Sequence, residues 1–144
     1  MRNGFDSILK NAAEIVVVHD GARPLVASEE ISKTIKSAEE SGAACLVAEV
    51  TDTIKEVADG KIKRTVDRNS LRRALTPQCF RYEILAEAFS QEVSGETATD
   101  ECYLVEKFGH EVAIVEGNAR NIKITRKEDL VLVKNLLEEE MATS

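Results

Sequence analysis

The sequence predicts an α/β domain built on a mostly parallel sheet, and three observations carry that prediction. Two apolar runs, residues 14–19 and 43–50, lack alternation, which is the pattern of strands covered on both faces. Between and after them lie stretches with apolar residues at helical spacing, and strands that alternate with helices favour parallel pairing. The 144 residues, 43% hydrophobic and 31% charged, show no linker, repeat or low-complexity stretch, so residues 1–144 read as one globular domain.

The elements follow in order. Phe5, Ile8, Leu9, Ala12 and Ala13 share a helical face. The strand at 14–19 ends in the loop Asp20-Gly21-Ala22-Arg23-Pro24. Ser28 is placed to cap the next helix, with Glu29 and Glu30 at its positive end. Ile31, Ile35 and Ala38 form the inner stripe of that helix, and Gly42 stops it. After the strand at 43–50 the pattern changes. Residues 53–57 and 61–66 alternate apolar with polar around Ala58-Asp59-Gly60, which predicts a hairpin arm outside the core sheet. Residues 71–76 predict a short strand stopped by Pro77. A helix over 82–93 turns Ile84, Leu85, Ala88 and Phe89 inward. Thr99 is placed to cap a helix over 100–108 that Gly109 ends, followed by a strand at 112–115 and an extended piece at 121–124. Thr125-Arg126-Lys127-Glu128 has the form of a capping box that opens a last helix, striped by Leu130, Val133, Leu136 and Leu137.

Composition narrows the function. A net charge of −7 argues against a nucleic-acid module, which needs a basic face, and leaves room for a local basic pocket. Cys45, Cys79 and Cys102 lack metal-ligand spacing and cannot all pair, which fits a reduced, cytoplasmic setting. No apolar run reaches the roughly 18 residues of a membrane span. Residues 1–14 carry acids and spaced apolar positions, unlike a signal peptide.

Ligands of α/β sheets bind at the carboxyl ends of strands, so residues 20–24 are the first place to look for chemistry. Asp20 there can hold Mg²⁺ or cap its own turn. Arg23 can grip phosphate or pair with a surface acid. His19-Asp20 also matches the dyad of metal-dependent phosphohydrolases, but that site needs further histidines and His110 is the only other one. Arg68 follows the hairpin, with Asp67 beside it as an ion-pair partner. Lys123 precedes a helix start, where it can meet a phosphate or lie on a solvated face. Thr53, Thr76 and Thr99 stand at element edges, where a hydroxyl can bond phosphate or serve as a cap. No two of the seven glycines are close enough to form a Gly-rich phosphate loop.

Taken in order, several segments form a pattern: Val17-Val18-His19-Asp20-Gly21-Ala22-Arg23-Pro24, Val50-Thr51-Asp52-Thr53-Ile54-Lys55, Thr65-Val66-Asp67-Arg68, Thr76-Pro77-Gln78, Thr99-Asp100-Glu101, Val115-Glu116-Gly117 and Asn121-Ile122-Lys123-Ile124-Thr125. Together they resemble the 2-C-methyl-D-erythritol 4-phosphate cytidylyltransferases of non-mevalonate isoprenoid synthesis. The resemblance implies a Rossmann-like three-layer α/β/α sandwich of the nucleotide-diphospho-sugar transferase type, with residues 51–67 as a β-arm that clasps a second copy. It implies transfer of CMP from CTP to the sugar phosphate, with Mg²⁺ or another divalent cation held by Asp20, and with Asp20 and Gly21 at the nucleotide. Arg68 and Lys123 would be catalytic, Arg68 acting in the partner's site. Thr53, Thr76, Thr99 and Arg23 would help hold the substrate.

The family begins with a strand and a Gly-rich loop followed by an Arg and a Lys, and this sequence lacks that opening. The expectation is therefore an N-terminally truncated domain, weak or inactive alone, with an exposed sheet edge. Ribitol-phosphate cytidylyltransferase shares the late Asn-Ile-Lys motif, but Thr65 to Arg68 and the Ala74-Leu75 before Thr76 point away from it. A remnant that only binds or dimerises is the non-enzymatic alternative.

Overall fold

The structure is a computed structural model and describes residues 2–8, 12–91 and 100–143. Helix α1 (Arg2–Phe5) precedes strand β1 (Ile15–Val18), helix α2 (Ser28–Ser41) and strand β2 (Ala43–Glu49). The hairpin β3 (Ile54–Ala58) and β4 (Lys61–Val66) leads through a 3-10 turn at Arg68–Ser70 into strand β5 (Arg72–Arg81). Helices α3 (Tyr82–Gln91) and α4 (Glu101–Lys107), strand β6 (Ala113–Glu116) and helix α5 (Lys127–Thr143) follow.

The main sheet has the order β1-β5-β2-β6. Strand β6 runs parallel to β2, whereas β5 is antiparallel to both β1 and β2. The sheet is therefore mixed instead of mostly parallel: β1, β2 and β6 share one direction, but the reversed strand β5 lies between two of them, so two of the three pairings are antiparallel.

Alternation along β2 divides the core. Ala43, Cys45 and Val47 face Phe80, Leu85, Phe89, Leu104 and Val105, the layer of α3 and α4 joined by Phe5. On the other face Ala44 packs with Ala38 of α2 and Cys79, and Leu46 and Ala48 pack with Leu75. The result is the α/β/α sandwich. Each large side chain fully buried there contributes about 1.5–3 kcal/mol.

Several local expectations need correction. Strand β1 is at the sheet edge, so Val17 is 42% exposed instead of covered on both faces. Helix α2 starts at Ser28 itself. Its N-cap is Ala27, whose N–H is taken by the Glu30 carboxylate at 3.0 Å. The stop at Gly42 is as expected, with φ +95. Pro77 does not stop a strand at residue 76. Strand β5 runs through it, because its register against β2 shifts between Cys45 and Val47. The proline lies in that irregularity and beyond the end of the β1 pairing at Val18↔Gln78, so its missing N–H breaks no ladder bond.

Helix α4 is capped by Asp100, whose carboxylate accepts from the Tyr103 N–H at 2.8 Å; Thr99 lies outside the described residues. The box before α5 closes through Asp129 instead of Glu128, accepting from the N–H groups of Thr125 and Arg126 and from the Thr125 hydroxyl. Of the expected α5 stripe, Val133 is buried, while Leu130 and Leu137 are 55% and 39% exposed. Residues 121–124 belong to no strand of the sheet. The first helical segment is only one turn long, ending at Phe5.

The hairpin forms its own two-stranded sheet, apart from the core. Its two-residue turn places Asp59 at φ 49 and Gly60 at φ 73, the left-handed pair that matches strand twist. Val57 and Ile62 pair across it and are 66% and 65% exposed.

Candidate active site

The site is built where β1 runs out. The chain turns at Asp20, with the Arg23 N–H donating to the Asp20 carbonyl at 2.9 Å. The segment before α5 lies against this turn, tied by the Ile124 N–H to the Ala22 carbonyl at 2.8 Å. Two cations converge on one oxygen of the Asp20 carboxylate. Lys123 Nζ lies 3.0 Å and Arg23 Nε 3.3 Å from Oδ2. Among the described residues no hydrogen bond reaches Oδ1. Partial burial pushes the Asp20 carboxyl upward, but the bonds and charge of Lys123 and then Arg23 outweigh it, and its pKa falls below the usual value.

Lys123 is half exposed, so its ammonium faces solvent as well as Asp20. Arg23 is only 11% exposed, and its guanidinium is engaged within the protein: besides Asp20, Nη1 donates to the Asn121 carbonyl at 2.8 Å. Gly21 is exposed, and a Cβ there would meet nothing within 4 Å, so the turn presents an open face.

Thr76 comes from the far side of β5. Its hydroxyl oxygen accepts the Asp20 N–H at 3.1 Å and stands 3.0 Å from His19 Nδ1. The other ring nitrogen, Nε2, is 3.1 Å from the Arg23 carbonyl, which can only accept. In the neutral ring the proton therefore sits on Nε2, and the Thr76 hydroxyl donates to Nδ1. Asn121, fully buried, donates from Nδ2 to the Thr76 carbonyl at 2.9 Å. Its Oδ1 has no partner among the described residues.

A second buried amide supports the neighbouring segment. Gln78 donates to Asp100 Oδ2 at 2.9 Å and accepts from the Cys102 N–H at 3.2 Å, which fixes the start of α4 against β5. Burial pushes the carboxyl of Glu101 there up, and the charges of Asp100 and Asp20 add to it.

Comparison with known proteins shows the family of the chain. The family model of 2-C-methyl-D-erythritol 4-phosphate cytidylyltransferase matches residues 1–139. The chain belongs to this cytidylyltransferase family. A cytidylyltransferase of that name from Bacillus licheniformis is 46% identical over 128 residues, covering 88% of this chain and 55% of the relative. One from Syntrophotalea carbinolica is 43% identical over 139 residues, covering 96% of this chain and 60% of the relative. The chain thus spans a little over half the length of the curated relatives it matches. Among solved structures, the Thermus thermophilus cytidylyltransferase is similar with a TM-score of 0.78 at 38% identity, over 87% of this chain and 62% of that one. The 4-diphosphocytidyl-2C-methyl-D-erythritol synthase of Anaerococcus prevotii is similar with a TM-score of 0.87 at 28% identity, over 95% and 64%.

Of the residues that the cytidylyltransferase resemblance singles out, the structure gathers Asp20, Gly21, Arg23, Thr76 and Lys123 at one end of the sheet. Arg68 and Thr53 are not in that group. Arg68 sits at the base of the arm, bonded to the Thr51 carbonyl, and lines a cleft of about 450 Å³ with Glu49 and Arg72. Thr53 is exposed and makes no hydrogen bond among the described residues. Thr99 lies outside those residues. His19 and Asn121 stand in the segments that carry the resemblance, but the sequence gives neither a role at the site. The usable signal was a polar residue inside or next to an apolar run, as with Gln78 between Leu75 and Phe80.

The Asp20 oxygen that carries no hydrogen bond among the described residues could serve as one ligand of Mg²⁺, which is usually held by one or two carboxylates with phosphates and water completing its shell. Among the described residues no cluster of three or more metal-ligating side chains exists.

Proposed function

We propose that the complete protein transfers CMP from CTP to 2-C-methyl-D-erythritol 4-phosphate, releases pyrophosphate, and uses this chain for the acceptor-phosphate side of the site. The supporting observation is the convergence of Asp20, Arg23 and Lys123 at the end of β1. In this reaction an oxygen of the acceptor phosphate forms a bond to the α-phosphorus of CTP, and the bond from that phosphorus to the leaving pyrophosphate oxygen breaks. The nucleophile is already an anion, so no Ser, Cys or His needs to be activated. What the protein must do is hold two anions in line and offset their charge.

Lys123, half exposed, offers its ammonium to the acceptor phosphate as a point charge. Arg23 stays behind it and fixes Asp20. Asp20 would hold Mg²⁺ through Oδ1, and when bound the ion supplies charge neutralisation on the nucleotide phosphates. Gly21 leaves room for the nucleotide to approach the turn. Thr53, Thr76 and Thr99 contribute hydroxyl contacts to the substrate. Two copies pair through the arm at 51–67, and Arg68 serves the partner's site; its place away from Asp20 within one chain supports that reading. Three free, buried thiols accord with a cytoplasmic setting.

The test measures pyrophosphate release from CTP and methylerythritol phosphate. It is run on this chain alone and on a protein in which the Bacillus licheniformis relative supplies the stretch this chain does not span. We expect little or no turnover by the chain alone and Mg²⁺-dependent turnover by the joined protein. Lys123→Ala and Asp20→Asn should each lower kcat by about 10²-fold or more, as lost phosphate positioning does. A joined protein that forms no cytidylylated product, or variants that match the wild type, would overturn the reading.

A further inference from the structure

Four of the bonds described above close on themselves. Asn121 Nδ2 donates to the Thr76 carbonyl, and the Thr76 hydroxyl donates to His19 Nδ1. His19 Nε2 donates to the Arg23 carbonyl, and Arg23 Nη1 donates to the Asn121 carbonyl. The ring joins three segments that are far apart in sequence: the turn after β1, the middle of β5, and the lead into α5. Asp20 is threaded through it. Its N–H is bound by Thr76 and its carboxylate by Arg23, while Lys123 is carried two residues after Asn121.

We propose that His19 and Asn121 are positioning residues, and that together they hold Asp20 and Lys123 in their reactive arrangement through this closed ring. The inference rests on the cytidylyl-transfer reading, but the ring itself can be tested without it. Two features argue for a positioning role over simple packing. Asn121 is fully buried with an unpaired Oδ1, a cost to stability that an apolar residue of the same shape would avoid. His19 uses both ring nitrogens on neighbours of Asp20, and neither is spent on the core. Bonds in a closed ring support one another, so once it is opened at one point a second opening costs less than the same opening made alone.

The experiment follows amide hydrogen exchange by NMR in the chain as it stands, at Asp20 and at Ile124, whose N–H groups bond to Thr76 and to the Ala22 carbonyl. His19→Phe and Asn121→Leu should each lower protection at both amides by about tenfold, the worth of one net hydrogen bond. The double variant should lose clearly less than the product of the two single losses. Thr34→Val removes a fully buried hydroxyl bond within α2 that is no member of the ring, and should leave both amides unchanged. If a variant does not fold, His19→Gln, which keeps an N–H donor near Nε2, and Asn121→Ser take its place, and His19→Gln should recover part of the protection. Losses that multiply in the double variant, or a His19 variant that leaves Ile124 untouched, would overturn the ring. In the joined protein the single variants should lower kcat by about 10²-fold with KM little changed, and Thr34→Val should leave kcat alone. Intact ring behaviour with unchanged kcat would overturn the positioning role. A joined protein inactive without any substitution would overturn the functional reading and leave the ring to stand or fall on exchange.

Discussion

Gly117 offers a measurable test of the packing beneath the site. A Cβ at this position would lie 2.8 Å from Leu46 Cδ1, 2.9 Å from Leu46 Cγ and 3.0 Å from Glu30 Oε1. Carbon atoms pack best about 3.5–4.0 Å apart, so Gly117→Ala demands a shift of roughly 0.7 Å or more. Neither side can give way freely. Leu46 is fully buried against Ala48 and Leu75. The Gly117 N–H is bonded to the Val47 carbonyl at 2.8 Å, which holds the glycine backbone against the same strand. Overpacking of this kind costs about 1–3 kcal/mol. For a chain of this size that lowers Tm by roughly 4 °C per kcal/mol. Leu46→Ala alone leaves a cavity and costs about 2–5 kcal/mol. In the double variant the two leucine atoms that the new Cβ strikes are gone, so the combined loss should fall short of the sum by about 1 kcal/mol or more. Urea unfolding followed by circular dichroism at neutral pH gives all four corners of the cycle. A Gly117→Ala variant as stable as the wild type, or losses that add within about 0.5 kcal/mol, would refute the reasoning.

Other outcomes are equally specific. Burial and neighbouring acids raise the Glu101 carboxyl above its usual 4.5, so the folded state holds that proton more tightly than the unfolded one. Stability from this group is greatest below pH 4.5 and falls as pH rises through the folded pKa, so Glu101→Gln should stabilise the protein at neutral pH, with the gain vanishing in acid; denaturant midpoints against pH measure it. The Asp129 carboxyl is held below its usual 3.8 by the amides of Thr125 and Arg126, so its support of α5 is complete above that value and lost as pH falls through the folded pKa. Those two amides should exchange faster in that acid window, and Asp129→Asn should remove the pH dependence. Burial pushes the Cys79 thiol up to about 12, and the hydrogen bond with Cys45, then burial, push Cys102 up as well. A thiol reagent at pH near 8 should leave these two unmodified in the native protein and react with all three cysteines after denaturation.

The parts of the fold that could be read from sequence are those fixed by local chemistry. Strand β2 is an unbroken apolar run because both of its faces are covered, and Gly42 stops α2 because its φ of +95 suits glycine. The arm was legible in its alternation and its Asp59-Gly60 turn. Strand β5 was not, because Pro77 reads as a breaker until the partner strand shows a register shift opposite it. The exposure of Val17 was illegible for a related reason: four β-branched or apolar residues look the same whether a strand is central or at the edge. At the site, Asp20 could be found because it ends an apolar strand. The ring around it could not, since its members stand 57, 45 and 98 residues apart and no local pattern marks them.

The place of β5 also sets the order in which the sheet can be made. Strands β1 and β2 never pair with each other; each pairs with β5, which is synthesised after both. A nascent chain that has reached residue 71 therefore holds two apolar ribbons with no template between them, open to pairing with other chains. The arm shortens that interval. Once its turn has zipped Ile54 to Val66, the loop that must close to bring Arg72 onto Glu49 shrinks to residues 50–53 and 67–71. Since each halving of a loop eases closure by about 0.6 kcal/mol, the hairpin acts as a clip that speeds delivery of the middle strand. A segment that looks like an appendage in the finished protein is thus, during assembly, the piece that brings the sheet together.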